Sequence, residues 1–323
     1  MISGNAARLK AAQALLLRFI EIGRVKDIKR HAALQRSPAG WPITRDDFAG
    51  QIKARLDGKL PDQLETSYCG PAVFLYCLIH DRPDIYVTYA ISLWERGRFR
   101  FGNRNAALSL SSADGEIPAA IKLRQARAAT PRRRHINDID WMTMSCLSAS
   151  TRPVDVGAVT PRDEFGSITY PRVLRRWFVA AGAAVRADTM GAGLLKSPLA
   201  ETLALMKHWG DSWIILQIDS SLLQGGSTNT FAKRHWVAVD PHRQPIVRKG
   251  AGGPVLPLAD VAPDIWKIPP GQSAPNLEGH HMADWETNLG IVTWANEHHE
   301  VHNRKLGQTI GCIYGGYAFS RFK

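Results

Sequence analysis

LETSYCGPAVFLYCLI, residues 64–79, places a cysteine, a glycine and a proline at the head of an apolar run. Pro71 suits the first turn of a helix, where its missing N–H costs nothing, and Gly70 lets the backbone approach a neighbour closely. The spacing predicts a helix over residues 71–80 with the Cys69 thiol at its N-terminus. Unsatisfied N–H groups and the helix dipole at such a position favour the nucleophilic thiolate.

Outward from this helix, the first half of the chain reads as helical. Leu9, Leu15, Leu16, Phe19, Ile20 and Val25 recur among Arg and Lys at helical spacing and predict a basic amphipathic helix over residues 5–34, docked on the rest of the protein. Ser37-Pro38-Ala39-Gly40-Trp41-Pro42 breaks that pattern, Thr44 caps a second helix, and Gly58 with Pro61 ends it. A further helix is expected over 84–96, then a long basic loop over 99–135. Asp138 caps a helix through Trp141 and Cys146, Tyr170-Pro171 opens one closed by Gly182, and Ser197-Pro198 opens one closed by Gly210.

From residue 212 the composition changes to that of strands. Ser212–Ile218, His235–Asp240, Pro245–Arg248, Gly290–Trp294 and Gly311–Tyr314 are predicted strands, and the Gly- and Pro-rich stretch 250–290 is an irregular excursion among them. Helices first and strands later predict an α+β fold rather than alternating βαβ units. An N-terminal helical segment over 1–60 and one domain over 61–323 are expected.

The chain has 323 residues, 45% of them apolar, ample for a large core. Lys and Arg outnumber Asp and Glu by 41 to 29, giving a formal charge of +12 that favours anionic surfaces without choosing among them. No run approaches the roughly 18 apolar residues of a membrane-spanning helix, and no secretory signal is recognisable. The four cysteines, 69, 77, 146 and 312, are too sparse for a disulfide scaffold and lack paired metal-ligand spacing. Reduced thiols and a cytoplasmic location in the producing cell are expected.

Two residues complement Cys69. Gln63, six positions upstream, is near enough in an extended loop for its amide to donate to an oxyanion. His235, at the start of an apolar strand, suits a general base and acid. Gln63 with Cys-Gly-Pro-Ala at a helix start and His235-Trp236-Val237-Ala238-Val239 on a later strand resemble the papain-like cysteine peptidase superfamily. The likeness is closer to its bacterial branches related to double-glycine leader peptidases and to papain-like toxin or effector domains. It extends over roughly residues 60–323, but its specific part is confined to these short motifs.

The resemblance implies a helical lobe bearing the nucleophile Cys69, an antiparallel sheet lobe bearing the base His235, and Gln63 as oxyanion donor. The family's orienting Asn or Asp usually comes from a following strand. Asn296 in Thr293-Trp294-Ala295-Asn296 resembles it, although the family's Asn precedes its Trp. Asp240 is nearer in sequence, but five residues of strand span about 16 Å and odd offsets point to opposite faces. The third member stays open between Asn296, Asp240 and another residue.

The resemblance also implies a protein or peptide substrate, delivery into a target cell by a signal-independent secretion system, and a cognate immunity or inhibitor protein. A peptidoglycan amidase, a deamidase or acyltransferase, and a non-catalytic binding protein using its basic surface are the alternatives. Cys77, Cys146 and Cys312 read as packing residues. His298-His299-Glu300-Val301-His302 lacks HExxH spacing, Gly191–Ser197 lacks that of a phosphate loop, and Arg132-Arg133-Arg134 has no interleaved aromatics to stack nucleic-acid bases. No metal, cofactor or nucleic acid is expected.

Overall fold

The structure is a computed structural model that describes residues 3–63, 66, 68–102, 108–111, 136–149, 169–190, 199–223, 234–250, 252–261, 285–294 and 299–323. Its helices are α1 (Ser3–Gly23), α2 (Ile28–Leu34), α3 (Arg45–Leu56), α4 (Cys69–Asp81), α5 (Pro83–Arg96), α6 (Asp138–Ala149), α7 (Pro171–Ala180), α8 (Leu199–Met206) and α9 (Leu306–Ile310). The strands are β1 (Arg98–Phe101), β2 (Leu108–Ser111), β3 (Val185–Asp188), β4 (Ser212–Asp219), β5 (Arg234–Val239), β6 (Ile246–Lys249), β7 (Val255–Pro257), β8 (Trp285–Val292), β9 (His299–Lys305) and β10 (Ile313–Ser320). The fold is α+β, and its described residues divide into two compact units.

The helical unit comprises the described residues of Met1–Gly182, Trp294–Glu297 and Phe322–Lys323. Helix α4 is its centre: of its residues only Ile79 and His80 are not buried. A helix apolar all round is stable only when covered on every side, and α5, α6 and α7 pack against it. Phe74 of α4 meets Phe101, Trp177, Phe178 and Phe322 at centroid distances of 5.4–6.1 Å. The last of these ties the residues after β10 into the helical core. Arg8 reinforces it by donating to the carbonyls of Asp81 and Phe322, and Asp81 accepts the Phe322 N–H.

The helices of residues 1–60 belong to this same unit, with α1 packed on α3 and α5. The expected single helix over 5–34 is two helices, because Asp27 accepts the N–H of Arg30 and starts α2 afresh. Thr44 caps α3 through the Asp47 N–H, as its position before the acidic first turn predicts. The expected loop after residue 98 begins instead as a hairpin, β1 pairing with β2 from Arg98↔Ser111 to Phe101↔Leu108. Aromatic alternation in Arg-Phe-Arg-Phe buries Phe101 and suits a strand, a period that the surrounding arginines obscure.

The sheet unit comprises the described residues of Ala183–Thr293 and His298–Arg321. Its strands run in the order β3-β10-β4-β5-β8-β6-β7, all antiparallel, with β9 on β8. One edge of β8 pairs first with β6, at Trp285–Asn288, and then with β5, at Ile291 and Val292. The excursion expected over 250–290 thus contains β7 and much of β8, and only its residue 251 and residues 262–284 lie outside the described residues.

Paired residues of an antiparallel ladder share a face, so register sorts the side chains of the sheet. Ile214, Leu216 and Ile218 of β4 share one face with Val237 and Val239 of β5 and Ala318 of β10, and with α8 and α9 they form the unit's apolar core. The opposite face carries Trp213, Trp236, Tyr317 and Phe319, with Trp236 stacked on Tyr317 at 6.3 Å.

Candidate functional site

Cys69 is the first residue of α4 and is 8% exposed. Tyr68 before it supplies no side-chain cap, and its carbonyl accepts the first helical hydrogen bond, from Ala72 N at 2.9 Å. Pro71 has no N–H to lose, so the first turn forms without strain at the proline. The neighbour that Gly70 admits is Thr169: a Cβ at Gly70 would lie 2.3 Å from both Cβ and Oγ1 of Thr169. Gly70 therefore lets the segment before α7 lie directly against the first turn of α4.

Gln63 is 6% exposed, and its backbone is pinned from both sides. Its N–H donates to the Trp294 carbonyl at 2.6 Å, and its carbonyl accepts from Thr66 N at 3.1 Å and Thr66 Oγ1 at 2.7 Å. Trp294 is itself fixed against Tyr76 of α4, at 5.2 Å between ring centroids. The Gln63 Oε1 is buried with no hydrogen-bond partner among the described residues. A half-turn of the terminal amide exchanges its oxygen and nitrogen, so this position offers either an acceptor or a donor.

One residue earlier, the Asp62 N–H donates at 3.2 Å to Asp140 Oδ2 on α6. Asp140 also accepts from Arg55 Nε at 3.1 Å, through Oδ1, and from Arg55 Nη2, through Oδ2. The Arg55 Nη1 holds the Lys59 carbonyl at 3.1 Å. Both side chains are 1% exposed. Burial raises the Asp140 pKa, against which the adjacent guanidinium and the hydrogen bonds act. The clamp fixes the loop at Lys59 and Asp62, immediately before Gln63. Sequence reading misses it: the only trace is an acidic residue inside the otherwise buried face of α6, and nothing couples it to Arg55.

In the sheet unit His235 pairs with Ile218. By register its imidazole shares the face of Ile218, Leu216, Val237 and Val239, the side of the apolar core. Its Nε2 is buried with no hydrogen-bond partner among the described residues, and burial lowers its pKa from 6.5 to about 4. The ring is neutral at pH 7, able to accept a proton and slow to hold one.

Asp240 lies past the far end of β5. Its N–H donates to the Gly290 carbonyl at 2.9 Å, its Oδ1 accepts from His242 N at 2.8 Å, and its carbonyl accepts from Trp209 Nε1 at 3.1 Å. The carboxylate thus closes the turn that carries the chain from β5 toward β6. Asn296, His280, His281, His298, Arg132-Arg133-Arg134 and Gly191–Ser197 lie outside the described residues.

None of the four cysteines is in a disulfide. Cys77 and Cys146 are fully buried, and burial pushes the Cys146 thiol well up, whereas Cys312 is half-buried beside Ser221 Oγ at 3.9 Å. Among the described residues no group of three His, Cys, Asp or Glu is arranged to hold a metal ion, and no helix is long and apolar enough to cross a membrane. Compared with protein families, with curated proteins and with solved structures, the chain matches none of them.

Proposed function

We propose that this protein is a cysteine hydrolase of papain-like type, in which the Cys69 thiolate attacks a carbonyl and His235 takes the thiol proton. The tetrahedral oxyanion is held by the amide of Gln63. Collapse releases an amine, protonated by His235, and leaves a thioester at Cys69. Water, deprotonated by the same imidazole, then cleaves the thioester and regenerates the thiol. A peptide bond is the first substrate class, and a cell-wall amide or a glutamine carboxamide would follow the same chemistry.

The observation that carries this reading is the position of Cys69 at the uncapped N-terminus of a long buried helix, where an anion is favoured. The amide oxygen of Gln63, buried and without a hydrogen-bond partner among the described residues, supports it, since a buried polar group with no partner is costly. His235, on strand β5 of the sheet unit, is the base in this reading. The reading extends to a protein or peptide substrate, delivery into a target cell and a cognate immunity protein, all of which rest on the resemblance alone.

A second reading is favoured by one observation: His235 lies on the core side of its strand. In that reading the histidine is a packing residue and the protein binds an anionic partner without catalysis. Alkylation by iodoacetamide, located by mass spectrometry and followed from about pH 4 to about pH 9, separates the two. The hydrolase requires Cys69 to react below the roughly 8.5 of an ordinary thiol, and His235→Ala to abolish that reactivity. Reaction of Cys69 no faster than Cys312 sinks it.

A further inference from the structure

Helix α1 buries Ala12, Leu16, Phe19 and Gly23 and turns its other side to solvent. That outer side is not simply polar. Of the five large hydrophobics exposed among the described residues, three lie between residues 17 and 28: Leu17 at 58%, Ile22 at 53% and Ile28 at 84%. Ile28 opens α2, two positions after Lys26 and immediately before Lys29 and Arg30, all of them exposed. Arg18 is one turn from Ile22, an i, i+4 neighbour, and Lys10 and Leu17 share a stripe two turns apart.

Charge and rigidity distinguish this face. Residues 17–30 contain Arg18, Arg24, Lys26, Lys29 and Arg30 against Glu21 and Asp27, and the Asp27 side chain is engaged in capping α2. Arg45, itself buried, holds the end of α1 and the end of α2 together by donating to the carbonyls of Phe19 and Leu34 at 2.9 Å each. His31 Nδ1 lies 2.8 Å from the Gly23 carbonyl. The most exposed of the three, Ile28, is therefore presented at a fixed junction with Arg24, Lys26, Lys29 and Arg30 as its neighbours in the chain, whereas Leu17 and Ile22 lie about 140° apart around α1.

We propose that the junction of α1 and α2, from Arg24 to Arg30, forms a docking surface for a membrane bearing anionic lipids. Arg24, Lys26, Lys29 and Arg30 meet the headgroups, and Ile28 enters the boundary between headgroup and acyl chain. Apolar side chains set among cations suit a lipid surface, which takes both. A nucleic-acid surface would want exposed aromatics for stacking, and the sole aromatic of residues 17–30, Phe19, is buried at 2% exposure. Because each basic residue near the headgroups contributes about fivefold in affinity, binding is peripheral and reversible. This inference does not depend on the hydrolase reading.

The test is co-sedimentation of the full chain with vesicles of phosphatidylcholine alone or mixed with phosphatidylserine. Binding that requires phosphatidylserine and weakens with salt is expected. Lys26→Glu with Lys29→Glu should weaken it at least tenfold, and Ile28→Asp should weaken it while leaving retention on heparin, a soluble polyanion, nearly as strong as before. These side chains are exposed, so the variants keep the fold, verified by unchanged thermal melting. Absence of phosphatidylserine-dependent binding, or variants that bind vesicles like the wild type, overturns the proposal. So does an Ile28→Asp variant indistinguishable from wild type on vesicles when a DNA duplex binds both equally, which would mark the face as a general polyanion surface.

Discussion

Arg55 and Asp140, 85 residues apart in the chain, form a bidentate ion pair with both side chains 1% exposed. The pair joins the end of α3 to the first turns of α6 and holds the Asp62 N–H between them. Removing one member leaves the other charged and dry, which costs about 3–5 kcal/mol, whereas apolar replacement of both is far milder. Urea denaturation should show Asp140→Asn or Arg55→Met destabilised by that amount and Arg55→Met/Asp140→Leu recovering most of it. Equal losses in the single and double variants would contradict the clamp.

Gly70→Ala puts a methyl group 2.3 Å from Thr169 Cβ and Oγ1, so the segment before α7 must move. Overpacking of this kind costs about 1–3 kcal/mol. Thr169→Gly alone vacates the space, so the double variant Gly70→Ala/Thr169→Gly should melt above Gly70→Ala. A Gly70→Ala protein as stable as wild type would mean that Thr169 yields without cost.

His235 makes stability depend on acid. Its pKa is about 4 folded and near 6.5 unfolded, so between these values the unfolded chain binds a proton that the folded one refuses. Stability is therefore highest above pH 6.5 and falls as pH drops toward 4, by up to about 3 kcal/mol at 1.4 kcal/mol per unit. His235→Gln should be less sensitive over the same window by that amount. Parallel stability profiles for the two proteins would place the imidazole in water.

Gln63→Ala tests the oxyanion role apart from the nucleophile. Once a substrate amide or ester is found, kcat should fall by roughly 10²–10³, the usual cost of one oxyanion donor, with the alkylation rate of Cys69 unchanged. A matching fall in both would mean that Gln63 shapes the loop instead.

The helical half is legible in the chain because its ends carry their own chemistry. Thr44 before Asp46-Asp47, Pro71 and Pro171 in first turns, and Gly182 after α7 each act within a few residues. Strands β4 and β5 are legible for the same reason, as short apolar runs. What is not legible depends on distant partners: β9 forms because β8 offers a ladder from Glu286↔Lys305 to Val292↔His299, and its polar sequence HEVHNRK announces nothing. The break at Asp27 hides inside a helical period.

For the site the division is similar. Cys69 at a helix start and Gln63 in a neighbouring loop are local readings, and the helix and loop are found where expected. The face on which His235 lies is a matter of register, set by Ile218 on another strand. The carboxylate of Asp240 is used in its own turn, which a five-residue offset could not reveal.

Phe322 joins Phe74 and Phe178 in the helical unit, although residues 183–293 and 298–321 make up the sheet unit between. During synthesis, then, α4 waits with one wall of its surroundings missing until every strand has been made. The sheet unit has all its own residues first and is free to fold first. The contacts of Phe322 with Phe74 and Phe178 are therefore completed only after β10 has been synthesised.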